Sequence, residues 1–173
     1  MVLQGKRIAV LAENDYHETE LWYPLLRMQE EGADVRVIGM KGVKEYTSKH
    51  GFPVAVDSYA SEVSADEFDA IIIPGGFAPD RMRRHQPMLG IVKGVYEKGG
   101  IVAAICHAGW VLISAGIVKG KKATCVSAIK DDMVNAGARY VDAEVVRDGN
   151  LITSRGPKDL PAFCRVIIEA LRK

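Results

Sequence analysis

The sequence predicts an α/β sandwich on a mostly parallel sheet, and three observations carry that reading. Short apolar runs at 7–12, 69–73 and 101–105 lack the alternation of a half-exposed strand and read as strands buried on both faces. Stretches with helical spacing alternate with them, which is the order of a parallel sheet joined by crossover helices. Glycines stop the helical stretches, at Gly32, Gly99-Gly100 and Gly137. With 173 residues the chain suits one domain with a substantial core, so a single domain over 1–173 is expected.

Taken in order, residues 7–12 form the first strand and the polar stretch 13–17 breaks it. Residues 18–31 form a helix with Leu21, Leu25 and Met28 on one face and Trp22 and Leu26 beside them. Acidic residues fill its first turn, as the helix dipole favours; Pro24 fits only if it lies early in the helix. Residues 34–39 are the second strand. A small side hairpin follows, 46–50 and 53–57 around Gly51. The strand at 69–73 runs into Gly75-Gly76. Residues 81–85 and 87–98 are helical, and 101–105 form the strand that leads into Cys106-His107. Residues 111–115 continue the next helix, 123–126 form a short strand and 130–136 a short helix. Two β-rich runs around Asp148-Gly149 form a hairpin, and an amphipathic helix over 159–171 closes the chain.

Hydrophobic residues make up 48% of the chain, charged residues 26%, and the net charge is +1. A globular protein fits those values, and nothing in them selects for nucleic acid or an anionic membrane. The basic group Arg81, Arg83, Arg84 and His85 reads as a solvated helix face or a subunit contact. The three cysteines, Cys106, Cys125 and Cys164, match no zinc spacing, and their odd number suits a reducing compartment. The N-terminal residues 1–12 contain no apolar stretch long enough for a signal peptide or a span. A cytoplasmic protein without metal or cofactor is therefore expected.

Ligands of open parallel sheets gather beyond the carboxyl ends of the strands. Three loops should meet there: 13–20, Gly75-Gly76 and Cys106-His107. Cys106 at a tight strand-to-helix turn has the geometry of a nucleophile elbow. The amides and dipole of the following helix favour its thiolate and should lower its pKa; the plain alternative is a buried structural cysteine. Gly75 and Gly76 offer backbone N–H groups with no side chain in the way, and with the amides of His107 or Ala108 they could form an oxyanion hole. The alternative is a turn that needs positive φ. Glu20 lies in an early helical turn within an apolar stretch. Pushed towards the sheet, its carboxyl would be desolvated, stay protonated and donate to a thiolate; pointing outward, it would only favour the helix dipole. His107 is the candidate base, though neighbours on a turn tend to diverge. It needs an orienting carboxylate, for which Asp15 and Asp80 are equal candidates by position. His17 is an accessory proton acceptor or an exposed loop histidine.

These residues together resemble the PfpI family of intracellular proteases, in the class I glutamine-amidotransferase-like superfamily, with the parkinsonism-associated deglycases as more distant relatives. The resemblance rests on residues 20–24 (ELWYP), 68–76 (FDAIIIPGG), 104–107 (AICH), 130–137 (KDDMVNAG) and 145–155 (VVRDGNLITSR), five motifs in one order. It implies a flavodoxin-like three-layer sandwich, Cys106 as nucleophile, Glu20 as its hydrogen-bonding acid, His107 as base and an oxyanion hole near Gly76 and His107. It also implies a homo-oligomer, a dimer or a hexamer built from dimers, in which Asp80 of a neighbouring subunit completes the triad. The chain departs from the pattern at Ala108-Gly109, where Gly-Pro is usual, and at Asp80, where Glu is usual. It departs again at His17, where a second Glu is common, and at Val126, where a Tyr is common. The resemblance leaves three functions: a peptidase-like cysteine hydrolase with a stress-protective role; a cofactor-independent glyoxalase or deglycase acting on small reactive carbonyls; or a redox sensor or holdase chaperone. The partners expected are a peptide or a small carbonyl substrate and further copies of the chain, with no nucleic acid and no membrane.

Overall fold

Strand β1 (Arg7–Leu11) lies inside the sheet and is buried along all but its first residue. In the computed structural model, which describes residues 1–172, it pairs in parallel with β2 (Asp34–Gly39) on one side and β6 (Ala70–Ile73) on the other. Beyond β6 lie β7 (Ile101–Ile105) and β11 (Leu151–Ser154), both parallel, and then β10 (Val145–Asp148), the one antiparallel strand of this sheet. A two-residue strand, β5 (Ser58–Tyr59), edges the opposite side against β2, giving the order β10-β11-β7-β6-β1-β2-β5. Every residue of β6, β7 and β11 is buried, which is why these runs are apolar without alternation.

From β1 the chain crosses to β2 through α1 (Glu18–Glu30). From β6 it crosses the other way, to β7, through α2 (Ala78–Met82) and α3 (Gln86–Glu97). Right-handed crossovers in opposite directions put their helices on opposite faces. Accordingly α1 packs with the C-terminal helix α6 (Leu160–Leu171), and α2 and α3 pack with α4 (Gly109–Ser114). The chain is therefore the three-layer, flavodoxin-like sandwich expected. The reversal of direction falls between β1 and β6, where such sheets bind ligands.

Several local expectations shift. Pro24 sits well inside α1, buried, and the helix continues through it because Leu21, Leu25 and Met28 anchor both sides in the core; Leu26 points outward, 55% exposed. The helix expected over 81–85 instead begins at Ala78, where Pro79 sets the first turn, and residues 83–85 are a turn leading to α3. Hairpin β3 (Glu45–Thr47) and β4 (Pro53–Ala55) forms as expected. The strand expected over 123–126 shortens to β8 (Lys122–Ala123), paired in parallel with the unforeseen β9 (Arg139–Tyr140) in a separate small sheet. Between them lies α5 (Lys130–Asn135). In the β10–β11 hairpin Asp148 is paired, and the turn residues are Gly149, at φ 63°, and Asn150. No helix among the described residues is long and apolar enough to cross a membrane.

Candidate active site

The loops after β1, β6 and β7 meet, as the parallel order requires. Residues 15–17 are stitched to 75–77 by a bridge between Tyr16 and Gly76, by His17 N donating to Gly75 O at 3.2 Å and by Phe77 N donating to Asp15 O at 2.9 Å. Gly76 sits at φ 79°, and a β-carbon there would fall 2.6 Å from both Asp15 O and His17 N. Both its backbone conformation and its surroundings demand glycine.

Cys106 takes φ 61°, a left-handed conformation that costs a side-chain-bearing residue energy. It opens a tight turn over Cys106–Ala108 that runs into α4, so the nucleophile elbow is present. The turn swings His107 back rather than away: its Nδ1 lies 3.3 Å from Cys106 Sγ. The His107 ring leans on Trp110, with centroids 5.2 Å apart. Trp110 is held in turn by its Nε1 donating to Asp132 at 2.8 Å, a brace that no pattern in the sequence foretells. Ala108 is fully buried. A β-carbon on Gly109 would fall 2.8 Å from Met133 Sδ, so glycine here lets α5 close on α4.

Glu20 points inward from α1 and is fully buried. Its Oε2 accepts the Gly75 amide at 2.8 Å, while Oε1 has no hydrogen-bond partner among the described residues. A β-carbon on Gly75 would lie 2.5 Å from that Oε2 and 2.7 Å from Cys106 Cβ, so Gly75 is the spacer that lets carboxyl and thiol approach. This corrects one expectation: the Gly75 amide is committed to Glu20 and is not an oxyanion donor. The amides of Gly76 and His107 are the ones that face the sulfur.

Burial pushes Glu20 up to about 7, against the lowering effects of the Gly75 amide and the Cys106 side chain. Burial also pushes the Cys106 thiol up, to about 12, with the Glu20 charge adding to the rise and the amides of His107 and Gly76 opposing it. The direction is opposite to that expected from the helix terminus alone. Desolvation and a facing carboxylate outweigh two amides and the start of a short helix. A neutral carboxyl beside a neutral thiol is therefore the favoured state of the pair below neutral pH. His107 and His17 are lowered, first by burial and then by the positive charge of Lys49, so both are neutral and able to accept a proton at pH 7.

The remaining candidates stand further out. His17 precedes α1, with Nδ1 3.1 Å from Thr19 Oγ1. Asp15 is ion-paired with Arg81 at 2.6 Å and Asp80 with Arg84 at 3.1 Å. Among the described residues no carboxylate bonds the His107 ring. Within one chain the site is thus a Cys106–His107 pair and a Cys106–Glu20 pair, with no orienting acid. Lys49, on the β3–β4 loop, is the site neighbour that the sequence reading missed, because nothing in the hairpin's pattern ties it to β1, β6 or β7.

Comparison with known proteins places the chain in a family. The DJ-1/PfpI family model matches residues 6–170. A protein of Pyrococcus abyssi named a deglycase is 46% identical over 167 residues, covering 96% of this chain and 99% of its own. YraA of Bacillus subtilis, provisionally named a cysteine protease, is 42% identical over 97% of this chain and 99% of its own. The crystal structure of Drosophila melanogaster DJ-1beta superposes with a TM-score of 0.90 at 31% identity, over 96% of this chain and 90% of that one. On the family match, the near full-length identity and the shared fold, the chain belongs to the DJ-1/PfpI family.

Proposed function

We propose that this protein is a cofactor-independent cysteine enzyme that acts on small reactive carbonyls, in the manner of a glyoxalase or deglycase. One observation carries the reading: a fully buried carboxyl that titrates near 7 lies against the candidate nucleophile. With Glu20 protonated, the charge that adds to the burial penalty on the thiolate is gone. Cys106 passes its proton to His107 Nδ1, 3.3 Å away. The sulfur attacks the carbonyl carbon, the S–C bond forms, and the π pair moves to oxygen beside the amides of Gly76 and His107. Glu20 then donates its proton to that oxygen, giving a neutral hemithioacetal and a carboxylate able to act as base. A pKa near 7 lets one group serve as acid and then as base. The relative named a deglycase supports this reading.

A peptidase is the second reading, favoured by the name of the Bacillus relative. That chemistry needs an orienting acid for His107, for which the reading takes Asp80 from a neighbouring subunit of a dimer or hexamer. Oxidation of Cys106 in a sensor or chaperone role is compatible with either enzyme. All three cysteines are free, which suits a reducing cytoplasm.

The test follows methylglyoxal loss and fluorogenic peptide cleavage side by side in wild type, Cys106→Ser and Glu20→Gln. We expect carbonyl turnover to fall at least about 100-fold in both variants. Full activity in Cys106→Ser would remove the nucleophile assignment. Cys106-dependent peptide cleavage without carbonyl loss would establish the second reading in its place.

A further inference from the structure

The loop of the β3–β4 hairpin is fastened over the site more firmly than a surface turn requires. Glu18 Oε1 accepts from the Ser48 hydroxyl and from the His50 amide, and lies 3.0 Å from His50 Nδ1. The Tyr16 hydroxyl donates to Phe52 O at 2.7 Å, and Phe52 stacks edge-on against Trp22. Lys49 N donates to Tyr16 O at 3.1 Å, and Tyr16 bridges to Gly76, whose amide faces the Cys106 sulfur. The backbone of Lys49 is thereby fixed three short links from the nucleophile.

Its side chain is exposed and makes no ion pair among the described residues. The other charges nearby are spent: Glu18 on His50, Asp15 on Arg81 and Asp80 on Arg84. Lys49 is also the one lysine or arginine whose charge is felt at Glu20, His17 and His107 together. The site otherwise holds a carboxyl, a thiol and two neutral imidazoles. None of these groups is a cation, so an anionic substrate group entering the site would find its counter-charge in Lys49.

We propose that Lys49 is the anion-recognition residue of the site, and that the favoured substrates are small carbonyl compounds with a carboxylate next to the reactive carbonyl. The proposal rests on Cys106 being the nucleophile assigned above. Addition to an aldehyde breaks the S–H bond, with its proton passing to His107, forms the S–C bond and breaks the C=O π bond, and the new oxygen takes the Glu20 proton. The carboxylate on the next carbon remains ionised and pairs with the Lys49 ammonium.

Iodoacetate and iodoacetamide are nearly equal in shape and differ by one negative charge. Their rates of Cys106 alkylation, followed by mass spectrometry, give a ratio from which the thiolate fraction cancels. For Lys49→Gln we expect the iodoacetate-to-iodoacetamide ratio to fall about five- to tenfold, and for Lys49→Arg to stay within about twofold of wild type. Added salt should shrink the wild-type ratio towards that of Lys49→Gln. Glyoxylate, the anionic shape-match of methylglyoxal, should slow iodoacetamide alkylation in wild type and lose that protection in Lys49→Gln. An unchanged ratio in folded Lys49→Gln, or both rates moving equally, would overturn the proposal, since Lys49 would then only tune the thiol. Alkylation needs no turnover. Failure of the carbonyl reading would therefore show as absent methylglyoxal loss with the ratio effect intact, and failure of the Lys49 assignment as the reverse.

Discussion

Glu20 decides how the site handles protons, and burial decides how Glu20 behaves. Its folded pKa, about 7, lies above the 4.5 of an unperturbed carboxyl. Between those values the native chain keeps a proton that the unfolded chain releases. Stability is therefore greatest below pH 4.5 as far as this group is concerned, and is lost as pH rises through 7, by roughly 3–3.5 kcal/mol in all. Glu20→Gln keeps an acceptor for the Gly75 amide and removes the titration. Urea unfolding at pH 5 and pH 8 should show the variant relatively more stable at the higher pH, with a flatter profile. An equal pH slope in both proteins would mean that the carboxyl is not the group that titrates.

At the scale of elements, the β3–β4 hairpin is clasped to α1 by one carboxylate. Burial raises Glu18, but the bonds from the Ser48 hydroxyl, its own amide and His50 outweigh that and bring it down to about 2. A depressed pKa means stability that is present above pH 4.5 and lost as pH falls towards 2. Glu18→Ala should cost about 1–2 kcal/mol at neutral pH, the value of hydrogen bonds to a partly exposed charged group, with the deficit disappearing near pH 2. The thermal midpoint across that range reads it. If Lys49 acts as proposed, the same variant should also weaken the iodoacetate preference of Cys106, because the loop that carries the lysine is released.

At the scale of the molecule, opposite crossover directions open the crevice between β1 and β6 and bring to it Glu20 from the first turn of α1, Gly75 from the loop after β6 and Cys106 from the turn after β7. Among the described residues of one chain no acid bonds His107, and Asp80 on α2 faces outward with Arg84. If Asp80 acts in a neighbour's site, co-expressed Cys106→Ser and Asp80→Ala chains should recover about a quarter of wild-type activity. In a dimer, half the assemblies are then mixed, and each mixed pair has one intact site. Sedimentation of Asp80→Ala separates this from a broken oligomer. Recovery to zero in intact mixed dimers would exclude the shared site.

The sheet was legible in the sequence because β1, β6 and β7 are buried on both faces, and only continuous apolar runs survive there. Cys106 was legible because a strand of that kind ended in a cysteine and a small-residue turn. Glu20 was legible as a candidate because a carboxyl stood in an apolar stretch. Whether it pointed inward was a question of packing, answered by a glycine 55 positions away whose missing side chain leaves it room. The sign of the Cys106 pKa shift, the meeting of His107 with the sulfur, the brace by Trp110 and the approach of Lys49 were decided only by tertiary structure. The pKa shift, the Trp110 brace to Asp132 and the approach of Lys49 depend on distance and desolvation between separate segments, and the meeting of His107 with the sulfur depends on the left-handed turn at Cys106; local pattern and propensity encode none of these.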